Sequence, residues 1–264
     1  MHRDAQPRYT LRELCRIVRM NELTAEIDIA TKLTGQRKVD PLVEADVSAQ
    51  SYTRVSFSLW KNVVHVVIAD ESRKKATHDV YGLHTNDAAR DLGRMENLDI
   101  SDVLKGATEV TGEDWGAMTT PPNSDYNPFN SDKGIPAGIK AISQGGYSPT
   151  HVAMHSDVWA DFISNSYVQK YVDAGLLRVP EGQAGVLSLP MYPSLRIMID
   201  DALLNTACYV VAQDAPAVVL GEGPTESAKY RNEPAGYDAF IIRQWLEPKL
   251  VLAAAAREIT GVHA

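Results

Sequence analysis

The stretch YTRVSFSLWKNVVHVVIADE, residues 52–71, decides the fold of this chain. Apolar and polar side chains alternate from Val55 to Leu59, which is the period-two pattern of a strand with one buried face. The run from Val63 to Ile68 is β-branched except for one histidine, and such runs favour burial on both faces. Because Lys61-Asn62 between the two runs is a turn signal, the stretch predicts a β-hairpin.

A hairpin this apolar is marginally stable alone and presents open strand edges. We therefore expect it to be covered, either by its own domain or by another subunit. The apolar side chains that need this cover are Val55, Phe57, Leu59, Trp60, Val64 and Val66.

Helical spacing of apolar residues follows the hairpin, from Glu71 to about Ala107, with Asp70 as the predicted N-cap. A nearly continuous helix of this length is longer than a typical globular helix. Such a helix is typical of a strut or of the backbone of an assembly.

Residues 10–34, before the hairpin, are predicted to form another helix, because their start matches a capping box. Helical geometry places Arg12, Arg16 and Arg19 together on a face away from the apolar stripe. This end of an otherwise acidic chain is therefore basic. We interpret the basic face either as a solvated helix surface or as a surface that meets nucleic acid or an acidic neighbour.

The composition excludes several classes of protein. With 264 residues and 44% hydrophobic content, the chain can bury a sizeable core. A net charge of -8 argues against a dedicated nucleic-acid binder, and two cysteines, Cys15 and Cys208, rule out a disulfide scaffold. The longest apolar run, residues 250–256, is far too short to span a membrane, and the start lacks the apolar core of a signal peptide. We therefore expect a soluble cytoplasmic product.

The remainder of the chain predicts mixed α and β structure. Helices are expected near residues 135–143, 156–163 and 167–174, and strands near 150–154, 186–189, 195–199, 209–212 and 217–220. A last, largely extended element covers residues 237–258. Gly221–Pro224 follows a strand but lacks the other residues of a phosphate-binding loop, so we predict a turn there.

No constellation for catalysis or metal binding emerges from the sequence. His151 and His155 lie four residues apart, but the glutamate of a zinc-protease motif is missing, so both are interpreted as structural. Asp200-Asp201 is interpreted as a strand-ending turn, because neighbouring strand residues point to opposite faces. We therefore predict no cofactor and no metal site, and the absence of such groupings argues against an enzyme.

The order of these elements resembles that of the HK97-fold shell proteins, which are the major capsid proteins of tailed viruses and the related encapsulins. Residues 52–71 are similar to the family's E-loop hairpin returning into its spine helix. Residues 148–159 look like the strand and helix of its A-domain, and residues 189–221 look like that domain's short strands. Residues 237–252 resemble the strand that returns to the P-domain.

The resemblance implies an α+β fold of HK97 type with an N-terminal arm, an E-loop hairpin, a spine helix with P-domain, and an A-domain. The implied boundaries are 1–38 for the N-terminal arm helix, 39–70 for the E-loop hairpin, 71–125 for the spine helix and P-domain, 126–232 for the A-domain, and 233–264 for the return to the P-domain.

The resemblance also implies a structural function, which is self-assembly through pentamers and hexamers into an icosahedral shell around double-stranded DNA. The apolar hairpin side chains would then be subunit-interface residues, and Arg12, Arg16 and Arg19 would face the lumen. The implied partners are other copies of the chain, packaged DNA, and separate scaffolding, portal or decoration proteins, with no membrane. The implied location is a virion capsid assembled in the host cytoplasm. An aspartate at Phe57 or Val66 is then expected to leave a soluble subunit that fails to close shells.

Two alternatives stay open. An encapsulin-type nanocompartment of the same fold would enclose a protein cargo. Neighbouring genes for a portal and terminase, or for a ferritin-like cargo, would separate the two kinds of shell. A small α/β enzyme would elute as a small oligomer instead of a megadalton particle.

Overall fold

The computed structural model describes residues 11–30, 51–75, 79–116, 127–175, 186–189, 192–213 and 217–263, with the backbone alone for 186–189 and 192–194. The helices of these ranges are α1 (Asp70–Lys75), α2 (Val80–Leu104), α3 (Ile135–Gln144), α4 (Ser156–Ser164) and α5 (Ser166–Asp173). The strands are β1 (Cys15–Arg19), β2 (Thr24–Ala30), β3 (Tyr52–Ser58), β4 (Trp60–Ala69), β5 (Thr108–Thr111), β6 (His151–Met154), β7 (Val186–Leu189), β8 (Tyr192–Ile199), β9 (Ala207–Val211), β10 (Val218–Asn232), β11 (Tyr237–Leu250) and β12 (Ala256–Thr260).

A four-stranded sheet with the order β1-β10-β11-β4 forms one half of the subunit. The antiparallel ladder between β10 and β11 runs nearly the whole length of both strands, β4 extends it on one side, and β1 joins β10 in parallel. Helix α2 packs across one face of this sheet, where Val80 and Ala88 meet Ile68 and Phe240. The opposite face, which α2 leaves uncovered, is called the open face below.

A six-stranded sheet with the order β5-β12-β9-β6-β8-β7 forms the other half. Its strand β9 is buried at every position, and α3 packs over β9 and β12. The main hydrophobic core lies between this sheet, its helices and one end of the four-stranded sheet, and its largest side chains include Phe162 and Tyr209.

Strands β2 and β3 form a separate antiparallel pair, called the β2–β3 hairpin below. Its cross-strand register places Ala25 opposite Phe57 and Ile27 opposite Val55, so these apolar residues share one face. Thr24, Glu26 and Asp28 alternate with them and lie on the other face. The hairpin is therefore amphipathic.

The helix predicted over residues 10–34 is wrong for the described residues 11–30, and its two ends lie outside the described ranges. Leu11–Leu14 forms a short 3₁₀ turn, after which the chain continues as β1 and β2. Both leucines are buried in the main core, and β1 pairs with a strand that lies far away in the sequence. This tertiary pairing overrides the local helical spacing. Within β2 the sequence TAEIDIA alternates with period two, which is strand and not helix patterning.

The two strands of the predicted hairpin form where they are expected, but they do not pair with each other. Strands β3 and β4 coincide with its two arms and are separated by Leu59 alone, while Lys61-Asn62 lies inside β4. Strand β3 pairs with β2, and β4 pairs with β11. The sequence Lys-Asn before a valine run lacks the glycine that a tight two-residue reversal favours. The buried Leu59 instead lets the chain pass from one sheet directly into the next.

Most of the other predicted elements are confirmed within a few residues. Helix α2 confirms 25 residues of the long helix predicted from Glu71 to about Ala107, but Asp79 is extended and caps α2, and Asp70, the predicted N-cap, is the first residue of the separate short helix α1. Helices α3, α4 and α5 and strands β6 to β9 lie where the periodicity places them. The implied boundary between residues 232 and 233 falls at the reversal between β10 and β11, which belong to one sheet, whereas β12 joins the six-stranded sheet. The domain boundaries themselves stay predictions. Within the described ranges, no helix combines the length and apolarity needed to cross a bilayer.

The pair between His263 and Asp161 predicts a pH-dependent stability. The hydrogen bond with Asp161 raises the pKa of His263 against a smaller effect of burial, and the charges of Asp157 and Asp114 raise it further. Because the folded-state pKa is raised, the stabilisation is complete below about pH 6.5 and is lost as the pH rises through the folded-state pKa. We expect His263→Gln to lower the melting temperature measured by calorimetry at about pH 6, and to change it little at about pH 9. Equal losses at both pH values would contradict this.

Candidate functional site

The base of the β2–β3 hairpin rests on the open face of the four-stranded sheet, where β10 carries two glycines. A Cβ atom at Gly221 would lie 3.0 Å from the Phe57 ring, and one at Gly223 would lie 2.9 Å from a methyl group of Leu59. Phe57 and Leu59 are buried with Met20 in a small core at this crossing. Gly221 and Gly223 together are called the glycine seat below.

The glycine seat corrects the turn predicted at Gly221–Pro224. The chain does not reverse there but continues through β10, with a bulge that shifts the register between Glu222 and Thr225. Glycine is common at bulges and where another segment comes close to the backbone. The Gly-Glu-Gly-Pro stretch therefore marks the crossing of the hairpin and the sheet.

Lys249 and Glu247 of β11 hold the hairpin from the side. The Nζ atom of Lys249 donates a hydrogen bond to the carbonyl oxygen of Ser56 and lies 5.4 Å from the centroid of the Phe57 ring. The buried carboxylate of Glu247 accepts a hydrogen bond from the backbone N–H of Ser58 and pairs with Lys249 at 3.2 Å. The last residues of β3 are therefore bound to β11 by charged side chains.

A charged network on the helix-covered side of the sheet ties the N-terminal segment to α2. Arg12 donates to both carboxylate oxygens of Glu96, at 2.8 and 3.0 Å, and to Glu222 at 2.6 Å. Glu96 is buried and also accepts a hydrogen bond from Gln244 at 2.9 Å. Burial alone would lower the pKa of Arg12, but the hydrogen bonds with Glu222 and Glu96 and their charges raise it. The network joins the 3₁₀ turn, α2, β10 and β11.

The next residue of α2 connects the helix to the six-stranded sheet. The side-chain amide of Asn97 donates to Asp200 at 2.6 Å, and both residues are buried. The other oxygen of Asp200 accepts a hydrogen bond from the backbone N–H of Ala202 at 3.0 Å, which confirms the predicted strand-ending turn. Helix α2 is therefore bonded to both sheets.

The first exposed apolar surface belongs to the β2–β3 hairpin. Ala25, Ile27, Ile29 and Val55 share one face and are each only half-buried, and these four residues are called the hairpin face below. Ile27 and Val18 line an open groove beneath the hairpin. Ala25, Ile27 and Val55 pack partly against the small core at the glycine seat, whereas Ile29 lies beyond that core.

The second exposed apolar surface lies on the open face of the sheet beyond the hairpin base. Val63 and Val67 are 37% and 49% exposed, and Tyr230 is 42% exposed on the far strand. Ile241 lies between them in the register and pairs with His65, whose ring is 2.9 Å from the Tyr230 hydroxyl. Val63, Val67, Tyr230 and Ile241 are called the open patch below.

The residues predicted for a subunit interface differ in how much of each side chain is exposed. Phe57 and Leu59 are buried within their own subunit, 1% and 8% exposed. Val64 and Val66 are half-buried against α2, whereas Trp60 is 42% exposed. An aspartate at Phe57 would place a charge in the subunit's own small core, and one at Val66 would place it against α2, so each would also destabilise the subunit. The expected soluble subunit that fails to close shells stays a prediction. An interface role stays a prediction for Trp60 and for the Val55 side chain of the hairpin face.

The basic face predicted for Arg12, Arg16 and Arg19 does not form. The guanidinium of Arg12 is engaged by two carboxylates. Arg16 and Arg19 lie three positions apart on a strand, which turns them to opposite faces, whereas a helix would have brought them together. A lumen-facing role for the exposed Arg16 and Arg19 stays a prediction.

Sequence reasoning missed most of the two apolar surfaces. Val63 and Val67 lie in the predicted strand, but its continuous apolar run does not show which face stays open. Tyr230 and Ile241 join them only through the pairing of β4, β11 and β10. The period-two alternation of residues 24–30 is the signal that locates Ile27, although it falls within the helix predicted for residues 10–34.

The described residues offer no catalytic grouping. Among them, no cluster of three or more histidine, cysteine, aspartate or glutamate side chains could hold a metal ion. Burial raises the pKa of the Cys15 thiol to about 12 and also raises that of Cys208, so neither is a thiolate nucleophile. His155 caps α4 by accepting a hydrogen bond from the backbone N–H of Asp157, and His151 is buried in β6.

Comparison with solved structures identifies the architecture. The capsid of cyanophage P-SCSP1u matches with a TM-score of 0.69 and 11% sequence identity, over 96% of this chain and 88% of the phage chain. A structure from Mycobacterium phage Bobi matches with a TM-score of 0.67 and 11% identity, over 98% and 92%. The holo-SrpI encapsulin complex from Synechococcus elongatus matches with a TM-score of 0.66 and 10% identity, over 98% and 89%. No protein-family model matches the chain, and no curated protein matches it by sequence.

The chain therefore has the HK97 fold, the α+β architecture of tailed-phage capsids and encapsulins. The fold class predicted from the order of elements is confirmed.

The charged network at Arg12 makes a testable contribution to stability. Arg12→Gln should lower the free energy of unfolding by roughly 1–3 kcal/mol, because the buried Glu96 and its neighbour Glu222 lose their shared cation. Urea unfolding measures this change. Arg16→Gln is the matched control, since Arg16 is exposed on the adjacent strand, and it should stay within about 0.5 kcal/mol of the wild type. Equal effects of the two substitutions would show that the network does not hold the N-terminal segment.

Proposed function

We propose that this protein is the major capsid protein of a tailed virus, a structural subunit that self-assembles into an icosahedral shell around double-stranded DNA. Two facts support the proposal, the HK97 fold and the presence of two uncovered apolar surfaces on one subunit. The solved structures that share the fold include a cyanophage capsid, the asymmetric unit of a mature bacteriophage PhiM1 capsid and a virus-like particle from Pyrococcus furiosus.

The observation that carries the proposal is the relation between the hairpin face and the open patch. Both are apolar, both lie outside the main core of the described chain, and they occupy different parts of the subunit. A contact between the hairpin face of one copy and the open patch of the next would join two different surfaces. Contacts of this kind repeat around a ring when the rotation closes. Pentamers and hexamers require such a contact.

Simple energetics favour a closed assembly over an isolated pair. An apolar patch of about 300–600 Å² contributes roughly 8–15 kcal/mol at about 25 cal/mol per Å². The loss of translational and rotational freedom on association costs about 4–15 kcal/mol. A single contact therefore gives weak association, whereas in a ring every subunit uses both of its surfaces. The same arithmetic supports cooperative assembly of the shell.

The charge distribution is compatible with a DNA-filled shell. The chain carries a net charge of -8, and its exposed arginines Arg16 and Arg19 lie on opposite faces of β1. Limited positive charge suits an inner wall, because a strongly basic wall would hold the packaged polymer immobile. On this proposal the shell forms in the host cytoplasm, with scaffolding, portal or decoration functions supplied by separate proteins.

An encapsulin-type shell around a protein cargo is the second candidate. The observation that favours it is the encapsulin complex from Synechococcus elongatus, which matches over 98% of this chain with nearly the same TM-score as the phage capsids. The absorbance ratio of purified particles at 260 and 280 nm separates the two. Nucleic acid inside the particles supports a capsid, and a co-purifying protein with little nucleic acid supports a nanocompartment.

Electron microscopy of the expressed protein tests whether the two apolar surfaces drive assembly. The wild type should form closed particles. Val67→Asp in the open patch and Ile29→Asp at the end of the hairpin face should each abolish them without lowering the melting temperature. The new carboxylate is solvated in the free subunit but would be buried and unpaired in the contact.

Val172→Asp is the matched control, because Val172 is 40% exposed on α5, in the half of the subunit built on the six-stranded sheet. Normal particles from both Val67→Asp and Ile29→Asp would contradict the proposed contact. A wild-type protein that elutes as a small oligomer would instead favour an enzyme.

A further inference from the structure

We infer that Gly221 and Gly223 are positioning residues that set the angle of the β2–β3 hairpin on its own subunit, and through that angle the curvature of the shell. The part of the inference that concerns the hairpin angle refers to the isolated subunit. The part that concerns curvature rests on the proposed function.

The glycine seat leaves no free space beneath the hairpin. Leu59 spans both glycines, since one of its methyl groups would lie 3.2 Å from a Cβ at Gly221 and the other 2.9 Å from a Cβ at Gly223. The Cβ at Gly223 would also lie 3.0 Å from the Cβ of Trp245 on β11. Phe57 and Met20 would each lie 3.0 Å from the same Cβ at Gly221. Protein interiors are packed as densely as organic crystals, so an added methyl group has to displace a neighbour.

The seat itself is anchored from the opposite face of the sheet. Glu222 stands between the two glycines and turns its carboxylate away from the hairpin, where Arg12 binds it at 2.6 Å. The backbone N–H of Met20 donates to the carbonyl oxygen of Glu222 at 2.8 Å. A wedge between the seat and the hairpin therefore moves the hairpin more readily than it moves β10.

The other contacts of the hairpin base hold it in place, so the hairpin can respond to a displacement at the glycine seat only by tilting. The backbone N–H of Leu59 donates to the carbonyl oxygen of Leu23 at 2.8 Å, which keeps the two arms of the base together. Lys249 and Glu247 bind the backbone of β3 at Ser56 and Ser58. With β3 bound at these points, a push under Leu59 rotates the hairpin about Phe57.

Because the hairpin is long, a small displacement at its base becomes a larger displacement at its far end. Strand residues rise about 3.3 Å each, so Leu59 lies about 7 Å and Tyr52 about 17 Å from Phe57 along the strand. A displacement of about 0.5 Å at Leu59 therefore moves Tyr52 by roughly 1 Å in the opposite sense. Since the hairpin face is one side of the proposed contact, the same rotation changes the angle between neighbouring subunits.

Gly223→Ala is the variant that tests the inference, with two measurements. Spin labels on Tyr52→Cys and Lys229→Cys report the hairpin angle in the unassembled subunit by electron–electron resonance. The native Cys15 and Cys208 are buried, so the labels react with the engineered thiols. Electron microscopy of the unlabelled variant then gives the distribution of particle diameters.

Gly138→Ala in α3 is the matched control, because a Cβ there would lie 2.8 Å from Val210 in the main core, a wedge of similar size away from the hairpin. We expect Gly223→Ala to shift the mean label distance by about 1 Å and to change the main particle diameter or abolish closed particles. Gly138→Ala should change neither, even where its melting temperature falls as far. Adding Leu59→Val to Gly223→Ala removes the contact of the new Cβ with the hairpin and leaves its contact with Trp245 in place, so the double variant should restore both readouts.

The outcomes of these measurements test the inference and the proposed function separately. An unchanged label distance in Gly223→Ala overturns the positioning role of the seat. A changed distance with unchanged particle diameters overturns the link to curvature. A wild type that forms no particles overturns the proposed function, and the label distances still decide whether the seat sets the hairpin angle.

Discussion

The antiparallel ladder between β10 and β11 is the constraint on which one half of the subunit depends. Strands β1 and β4 exist as sheet strands only because this ladder offers each an edge. The hairpin base rests on the glycines of β10 and is held by Lys249 and Glu247 of β11. The ladder also supplies Glu222 and Gln244 to the charged network around Glu96. Because the two strands pair with each other along most of their length, the ends and edges of the ladder determine where the other elements can attach.

Helix α2 connects this half of the subunit to the other through adjacent polar residues instead of an apolar stripe alone. Glu96 is bonded toward the four-stranded sheet and Asn97 toward the six-stranded sheet. Buried polar groups are costly unless they are fully paired, so only one arrangement of helix and sheets satisfies both side chains. The buried network therefore specifies the relative placement of the two sheets more strictly than hydrophobic contact would. On the proposed function, every subunit of the shell would therefore have the same arrangement of its two sheets.

The sequence predicts where the helices and strands of this fold lie better than it predicts which strands pair with each other. The period-two pattern of β3 and the long helical spacing of α2 are local properties, and both elements form where they are expected. The pairing of β4 with β11 is not local, and no turn chemistry records it. The helix predicted near the N-terminus fails for the same reason, because the pairing partner of β1 is β10. The fold class could still be predicted, because it follows from the order of the elements along the chain. The long-range strand pairing is a property of the whole fold and is not encoded in any single segment.

The same limit explains how little of the candidate site could be predicted. An alternating strand shows which residues share a face, but not which face another element will cover. Phe57 and Val67 are both large apolar strand residues, yet the glycine seat covers the first and leaves the second exposed. Arg12 reads as one of three equivalent arginines until Glu96 and Glu222 are brought to it by distant elements.

The parallel pairing of β1 with β10 has a consequence for synthesis of the chain. Cys15 lies beside Val218 in this sheet, and Trp60 lies beside Leu246. Strands β1 and β4 therefore have no sheet to join until β10 and β11 have been translated. Pairings of such long range also fold slowly. The hairpin cannot acquire its final orientation before β10 and β11 are made, so a partly made chain cannot present both surfaces of the proposed contact in their final geometry.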